Sequence, residues 1–422
     1  MNRVITTTAA AAAATLALAT ACVDTTAQRP TPPDAGTADA GDATGDASSD
    51  AGADSGTGTP EPVMATCLLV HGSDWMSGGS LSVVDLDTGE QREDLTSYHQ
   101  DARIRVIGES VYVLNRMYGD SVMELDPGSE HAVLWEASVR TSDRPLPNPH
   151  DLVRHDDRLY IALYNDGVIA QAYLRPQPDG RFLTGSSVAL PTPAWDGSVA
   201  EVTALRVVGD TLFALTQGLD DSFRCSSAEA RGRVHAYALP SLEPAPIFSG
   251  AAHLDLATCN PGGWIALDAD RVLIHSLGNY RIYTSNPTDD GALEIVNLTE
   301  GTSEGIVANE TAAGNRDIFK VVRSEDGALF ATTVADDFDD GLMLVRLTPT
   351  ASGMWEFGPP LYEGNVWDAL PHGGRLYVAE RSVSRAALYT IDGQTGAEVV
   401  APWSTGLPPE QLVLFRRDGA CW

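Results

Sequence analysis

Short apolar stretches alternate with Gly- and Asp-rich turns from about residue 63 onward, in a pattern that recurs roughly every 50 residues. In each copy, two apolar strands flank a short polar turn, which is typical of a β-hairpin. A repeat of this period predicts a modular architecture. The copies run over Arg103–Leu114, Leu152–Leu163, Leu205–Leu215, Trp264–Ile274, Ile318–Ala331 and Trp367–Ala379.

A third and a fourth strand follow each hairpin, as at Ser121–Leu125 and Ala132–Trp135. Apolar and polar residues alternate along these segments, which favours strands over helices. Seven units of four antiparallel strands predict an all-β fold, a seven-bladed β-propeller over residues 63–422.

The two ends of this region complete each other. Thr66–His71 has the pattern of a second strand without a first, and Gln411–Phe415 that of a first strand with no unit after it. A closed ring would pair them in one blade and remove the open edges. Cys421 would then lie beside the strand that carries Cys67, so we expect a Cys67–Cys421 disulfide.

The N-terminus predicts export. Residues 1–21 carry Arg3 and then an Ala-rich apolar run, which has the form of a signal peptide and is too weakly apolar to span a membrane. The residues that precede Cys22, Leu18-Ala19-Thr20-Ala21, resemble the lipobox of bacterial lipoproteins, although Ala19 stands where that family most often has Leu. The resemblance implies cleavage before Cys22 and acylation of this residue; the alternative is an ordinary secretory signal with an incidental Cys.

Residues 22–62 combine the lipidation candidate with a linker of Asp, Ala, Gly, Thr, Ser and Pro. Such a composition cannot bury enough apolar surface to offset chain entropy, so we expect a disordered acidic tether. Val23 follows Cys22 in place of Asp, which by the enteric sorting rule favours the outer membrane. The expected location is therefore the cell envelope, with the membrane contacted through the lipid anchor.

The net charge of −31, with a single Lys, argues against nucleic acid as a partner. Besides Cys22, four Cys remain, and an even number in an exported domain indicates disulfides with three alternative pairings. Cys225 and Cys259 fall in two connections that leave a propeller on the same face, which favours a Cys225–Cys259 bridge beside Cys67–Cys421. No Cys/His spacing for zinc is present.

The Val-x-Asp-x-x-Thr-Gly-Glu turn at Val84–Glu90 and the Gly-x-x-Leu-Tyr-Val hairpins resemble the YVTN and quinoprotein-like seven-bladed propellers. The resemblance covers about residues 63–422 and implies a fold, not an activity. In such propellers, ligands bind where the first strands begin, at the mouth of the central channel. Those positions are His99, Asp101, His150, Asp151, Glu201, Asn260, Asp317, Asp368 and Glu410, with Arg316 beside Asp317.

Converging carboxylates repel one another unless a cation lies between them, and hard cations prefer oxygen ligands. The candidate metal ligands are Glu201, Asp317 and Asp368, for Ca2+ or Mg2+. The alternative is that polar residues line a channel filled with water. Further acidic residues occur in loops predicted on the same face, and we interpret them as solvated: Asp74, Asp166, Asp220, Asp221 and Asp336–Asp340 without Phe338.

The sequence assigns no catalytic residue, because it shows no His-Glu-x-x-His pattern and predicts no nucleophile elbow. The leading hypothesis is a lipid-anchored, monomeric binding or interaction module that presents its acidic face to an envelope protein or a small ligand. The alternative is a divalent-metal-dependent hydrolase or lactonase-like enzyme that uses the channel carboxylates. A purely structural envelope protein is a third hypothesis.

Overall fold

The computed structural model describes residues 64–191, 199–220, 224–225, 231–280, 290–335 and 341–422. Within these ranges the chain forms seven antiparallel sheets, each a blade of a β-propeller, so the predicted fold is confirmed. The predicted signal peptide and tether lie outside the described residues. No helix of the described ranges is long and apolar enough to cross a membrane.

The blades are numbered I to VII around the ring, and the first strand of each is the innermost. The strands are β1 (Met64–Ser73), β2 (Gly79–Asp85) and β3 (Gln91–Tyr98) in blade I; β4 (Ala102–Ile107), β5 (Ser110–Asn115), β6 (Ser121–Asp126) and β7 (Ala132–Ser138) in blade II; β8 (Pro149–His155), β9 (Arg158–Leu163), β10 (Val168–Tyr173) and β11 (Leu183–Ala189) in blade III; β12 (Val202–Val208), β13 (Thr211–Thr216), β14 (Arg233–Ala238), β15 (Glu243–Pro244) and β16 (His253–Asp255) in blade IV; β17 (Pro261–Ala266), β18 (Arg271–Ser276), β19 (Ala292–Asn297) and β20 (Thr302–Asn309) in blade V; β21 (Asp317–Arg323), β22 (Leu329–Val334), β23 (Leu342–Pro349) and β24 (Trp355–Glu363) in blade VI; and β25 (Val366–His372), β26 (Arg375–Glu380), β27 (Ala387–Asp392) and β28 (Glu398–Trp403) in blade VII. The last strand, β29 (Pro409–Asp418), is the first strand of blade I. Short 3-10 turns lie at Pro127–Ser129 and Tyr164–Asp166.

The ring closes in the way that the sequences of its two terminal strands predict. β29 pairs antiparallel with β1, placing Cys67 opposite Phe415. The Cys67–Cys421 disulfide, with a Cα–Cα distance of 5.6 Å, fastens the C-terminus to the same strand. The Cys225–Cys259 disulfide is also present, with a Cα–Cα distance of 6.1 Å. Both predicted pairings are confirmed.

Blade IV departs from the four-strand repeat. Its outer edge is divided between the short strands β15 and β16, which both pair with β14. Three prolines lie in the chain from Pro240 to Pro246. Proline has no N–H to donate to a ladder, so a continuous outer strand cannot form there.

The hydrophobic core lies between neighbouring blades. Side chains alternate across each strand, so every inner blade surface packs against the next blade. Between blades I and II, for example, Leu69 and Phe415 share one apolar cluster with Ile104 and Val113. The inner-strand residues Trp264 and Trp367 are buried in such clusters, which agrees with a core role and not with a sugar-stacking surface.

The inner edge of each first strand has no partner strand. Side chains form hydrogen bonds with some of the backbone groups on this edge. Asp151 accepts hydrogen bonds from the backbone N–H of Leu152 (2.6 Å) and from that of Leu205 in the next blade (2.7 Å). Arg105 of the preceding blade donates to the same carboxylate from Nε, at 2.5 Å. Asp151 thereby joins β4, β8 and β12.

Blade VII repeats this arrangement. Asp368 accepts from the N–H of Ala369 (2.7 Å) and from that of Leu412 (2.8 Å), and Lys320 Nζ lies 2.5 Å from it. Burial raises the pKa of Asp368, and the Lys320 charge opposes this rise. Gln411 exchanges two hydrogen bonds of 2.9 Å with the backbone of Ile104.

Together these side chains connect six of the seven first strands, in the order β21, β25, β29, β4, β8 and β12. We call this set the first-strand girdle. Its members are Arg105, Asp151, Lys320, Asp368 and Gln411.

The two disulfides should differ in their contribution to stability. They close chain separations of 354 and 34 residues. In the chain-entropy model, replacing Cys67 and Cys421 by Ser should therefore lower the free energy of unfolding by about 2 kcal/mol more than replacing Cys225 and Cys259. Urea denaturation of the two double variants measures the difference. Equal losses would show that unfolded-chain entropy does not govern these bridges.

Removal of a girdle carboxylate should be costly. Asp151→Ala would leave the Arg105 charge buried and the Leu205 N–H without its acceptor, so we expect a loss of about 3–5 kcal/mol in the free energy of unfolding. The matched control is Asp157→Ala, which removes an exposed carboxylate that pairs with Arg158 and should change little. Similar denaturation midpoints for the two variants would contradict a structural role for the girdle.

Candidate functional site

Arg116 is the central cation of the channel mouth. It directly follows β5, is only 2% exposed, and pairs with the carboxylate of Asp101. Its backbone N–H also donates to the Asp101 carbonyl at 2.8 Å. The Nε and Nη1 groups are buried and have no hydrogen-bond partner within the described ranges. Buried donors in native proteins are rarely left unpaired, so they are suited to a bound ligand or water.

The turn that follows Arg116 has an unusual backbone. Met117, Tyr118 and Asp120 have positive φ angles of 24°, 72° and 47°. Asn148 holds the turn: its side chain accepts from the Met117 N–H at 3.0 Å, and its own N–H donates to Asp120 at 2.7 Å. Strained backbone persists only where its surroundings enforce it, and it clusters at functional sites.

His150, at the start of β8, is 3% exposed and stacks on the ring of Tyr164, with centroids 4.0 Å apart. Burial, and then the positive charges of Arg116 and Arg103, hold its pKa well below the ordinary value. The imidazole is therefore neutral at physiological pH. Its Nδ1 atom is buried without a hydrogen-bond partner in the described part of the chain.

His71, on β1, is fully buried. Burial and the charge of Arg381 lower its pKa to about 3, and Arg116 acts in the same direction. Its Nδ1 lies 3.3 Å from the Tyr98 hydroxyl. Its Nε2 lies 3.9 Å from the Glu410 carboxylate, but a neutral imidazole forms no ion pair there. We call His71, Arg116 and His150 the mouth cluster.

A hydrogen-bond relay fixes one side of this cluster. The Tyr164 hydroxyl donates to Gln217 Oε1 at 2.6 Å, and Gln217 Nε2 donates to Asn260 Oδ1 at 2.8 Å. Asn260 in turn donates to the carbonyl of Gly278 at 2.8 Å. The relay spans blades III to V, and Asn260 directly follows the disulfide-bonded Cys259.

A second group of side chains fills the seam between blades VII and I. Glu410 accepts from Trp75 Nε1 at 2.7 Å and from Arg381 at 3.3 Å. The Arg381 guanidinium lies 4.5 Å from the centre of the Trp75 ring and 5.3 Å from that of Trp367. Pairing between Glu410 and Arg381, together with packing of Arg381 against the two Trp rings, is sufficient to explain the positions of both residues.

The predicted site residues thus do not form one site, because the structure places them in separate groups. Asp101 and His150 lie at the mouth cluster, and His99 caps the Asp101 backbone N–H at 3.2 Å. Asp151 and Asp368 belong to the girdle. Glu201 accepts a hydrogen bond from the Leu219 N–H at 3.2 Å. Asp317 is fully buried. Arg316 donates a hydrogen bond from Nε to the Thr333 hydroxyl.

The predicted metal centre is not assembled. Within the described ranges, no group of three or more His, Cys, Asp or Glu side chains could hold a metal ion, so Glu201, Asp317 and Asp368 do not form the expected Ca2+ or Mg2+ site. The reason is pairing: Asp368 is neutralised by Lys320 and by backbone N–H groups. Of the acidic loop residues, Asp74 accepts hydrogen bonds from backbone N–H groups of its own turn. Asp221 and residues 336–340 lie outside the described residues.

A Gly-x-Ser-x-Gly sequence does occur, at Gly301–Gly305. It lies on the outer strand β20, where the Ser303 hydroxyl donates to Glu294 at 2.5 Å. A nucleophile elbow needs a sharp strand-to-helix turn. This motif was overlooked in the sequence, and it forms no strand-to-helix turn at its position in the described structure.

Sequence reasoning missed His71, Arg116 and Tyr164 because it considered the starts of first strands and, in the loops that follow second strands, only the acidic residues. Arg116, Tyr164, Gln217 and Arg381 share one register: each is the first residue after a second strand. In a propeller that position lies on the same face as the starts of the first strands. Reading the repeat at this position would have found Arg116 and Tyr164, whereas His71 lies within the second strand β1 and does not share this register.

Comparisons with known proteins agree on the fold. No family model and no curated protein sequence matches this chain. A protein of Bacteroides fragilis assigned as a 6-phosphogluconolactonase superposes with a TM-score of 0.57 at 15% identity, over 83% of this chain and 98% of that chain. The periplasmic gluconolactonase of Pseudomonas aeruginosa gives a TM-score of 0.53 at 16% identity, over 83% and 99%. A Bacteroides uniformis protein, also assigned as a 6-phosphogluconolactonase, gives 0.53 at 13% identity, over 83% and 99%. The chain is thus similar in fold to 6-phosphogluconolactonase-like seven-bladed propellers.

Proposed function

We propose that this chain is a binding propeller that takes a small hydroxylated acid at the mouth cluster. The observation that carries the proposal is the buried guanidinium of Arg116, which has two N–H groups without partners. One side of this cation is already paired with Asp101, so the remaining donors suit a second carboxylate. The two neutral imidazoles add unpartnered ring nitrogens, His71 Nε2 and His150 Nδ1, for ligand hydroxyl groups.

A second candidate is lactone hydrolysis, in which the ligand is a substrate. A neutral His150 could take a proton from water as the water attacks the lactone carbonyl, while Arg116 would stabilise the oxyanion. The imidazolium would then return the proton to the ring oxygen as the acyl C–O bond breaks. The fold neighbours named as gluconolactonases support this candidate, although fold alone does not fix an activity.

Binding should depend on Arg116. With D-gluconate in a panel of hydroxy acids, Arg116→Gln should weaken binding roughly 10- to 100-fold, since a charge-assisted hydrogen-bond pair is lost. Titration calorimetry measures the change, and the control Arg181→Gln alters an exposed Arg that pairs with Asp179. Wild-type affinity should stay level from pH 5 to pH 8, because both histidines remain neutral over this range.

The same protein samples distinguish the binding protein from the lactone hydrolase. Saturable binding without turnover of glucono-δ-lactone above the rate in buffer supports the binding protein. Turnover that His150→Gln abolishes supports the hydrolase. If no acid in the panel binds, or if Arg116→Gln binds like wild type, the proposed ligand class is wrong.

We further propose that the mature protein is a monomer anchored in the outer membrane through acylated Cys22. All four Cys of the propeller are used in its two disulfides, which leaves Cys22 as the one Cys outside them. The acidic tether would give the propeller reach from the membrane, and its negative surface suits envelope ligands over nucleic acid.

Acylation of Cys22 can be tested in a bacterial host fed with a labelled fatty acid. We expect label on the wild-type protein and its recovery with outer-membrane fragments. Cys22→Ser should carry no label and should fractionate with soluble proteins. An unlabelled wild-type protein that is nevertheless exported would favour the ordinary secretory signal.

A further inference from the structure

A cavity lies far from the channel mouth, on the face where the hairpins of blades VI and VII turn. Its volume is about 200 Å³. It is open to solvent between the turn after β21 and the turn after β25. The residues that matter here are Glu325, Phe330, Arg346, Pro371, His372 and Arg375.

The positive charge in this cavity is only partly engaged. The Arg346 charge adds to the hydrogen bonds of Ser324 and Ala328 that lower the pKa of Asp326, and Arg375 forms a hydrogen bond with the Tyr377 side chain. Arg346 and Arg375 form no ion pair with any described residue. Glu325 is held by Arg416 of β29 and lies 3.4 Å from His372 Nδ1. The neighbouring carboxylate, Asp326, is tied to its own turn. Two guanidinium groups without an ion pair in one cavity are notable on a chain with a net charge of −31.

The floor of the cavity is apolar. Phe330 and Pro371 are buried and line it together with Ala328. One wall is the two-residue turn Gly373–Gly374, whose φ angles of 59° and 77° require glycine. Since neither glycine has a side chain, that wall leaves the space beside Arg375 open.

We propose that this cavity binds a small aromatic carboxylate, with its ring on Phe330 and Pro371 and its carboxylate between Arg346 and Arg375. Guanidinium groups bind carboxylates through paired N–H donors, and an aromatic floor favours a flat apolar body. Both Arg346 and Arg375 offer only donors, so a carboxylate placed between them is favoured over an amine. This site is independent of the mouth cluster and of the function proposed for it.

Benzoate is the probe, and saturation-transfer NMR on the purified propeller measures its binding. We expect saturable binding with a Kd on the order of 1 mM, as is reasonable for so small a ligand. Arg346→Gln and Arg375→Gln should each weaken it about tenfold or more. The Arg375 side chain is exposed at the start of β26, so its variant should fold even if Arg346→Gln does not. Arg181→Gln and Arg116→Gln should bind benzoate like wild type, which separates this cavity from the mouth.

Three further probes test which chemical features of benzoate are needed for binding. Benzyl alcohol tests the need for charge, acetate the need for the ring, and inorganic phosphate a general anion site. Weaker binding of all three than of benzoate supports the proposal. The proposal is overturned if benzoate shows no saturable binding in the millimolar range, if both Arg variants bind it like wild type, or if any of the three probes binds as tightly.

Discussion

The unpaired inner edge of the first strands is the constraint on which the rest of the structure depends. Each blade of the ring has two open edges: a short outer edge that faces solvent, and an inner row of backbone groups around the channel. Asp151, Asp368 and Gln411 satisfy part of this row by reaching to the first strand of the next blade. A buried carboxylate in that role needs a compensating cation, and Arg105 and Lys320 supply it.

This pairing explains why an acidic protein buries several of its few cations around the channel. The single Lys of the chain is buried in the girdle, and Arg116 and Arg381 lie at the mouth. Of the carboxylates that the sequence suggested for a metal, Asp368 is instead paired with Lys320 and backbone N–H groups, and Glu201 accepts from the Leu219 N–H. What remains unpaired is a set of donors on Arg116 and ring nitrogens on two neutral histidines, which suits an organic acid better than a cation.

Burial decides the chemistry of those histidines. In water His71 and His150 would be partly protonated near pH 6.5. Removed from solvent and placed near guanidinium groups, both remain neutral, and they can accept hydrogen bonds or a proton at physiological pH. The relay through Tyr164 and Gln217 to Asn260 then keeps His150 in place from the next two blades.

The sequence by itself determined the architecture, because strand alternation and turn chemistry are local and repeat with each blade. The missing first strand before Thr66 and the surplus strand at Gln411–Phe415 even specified the closure and the Cys67–Cys421 bridge. Only the tertiary structure decided the partner of each polar side chain. Asp151 and His150 are neighbours in the chain, yet one points to the girdle and the other to the mouth, since successive side chains of a strand face opposite ways. Contacts such as Arg105 with Asp151, or Lys320 with Asp368, join residues about one blade apart, and no local pattern encodes them.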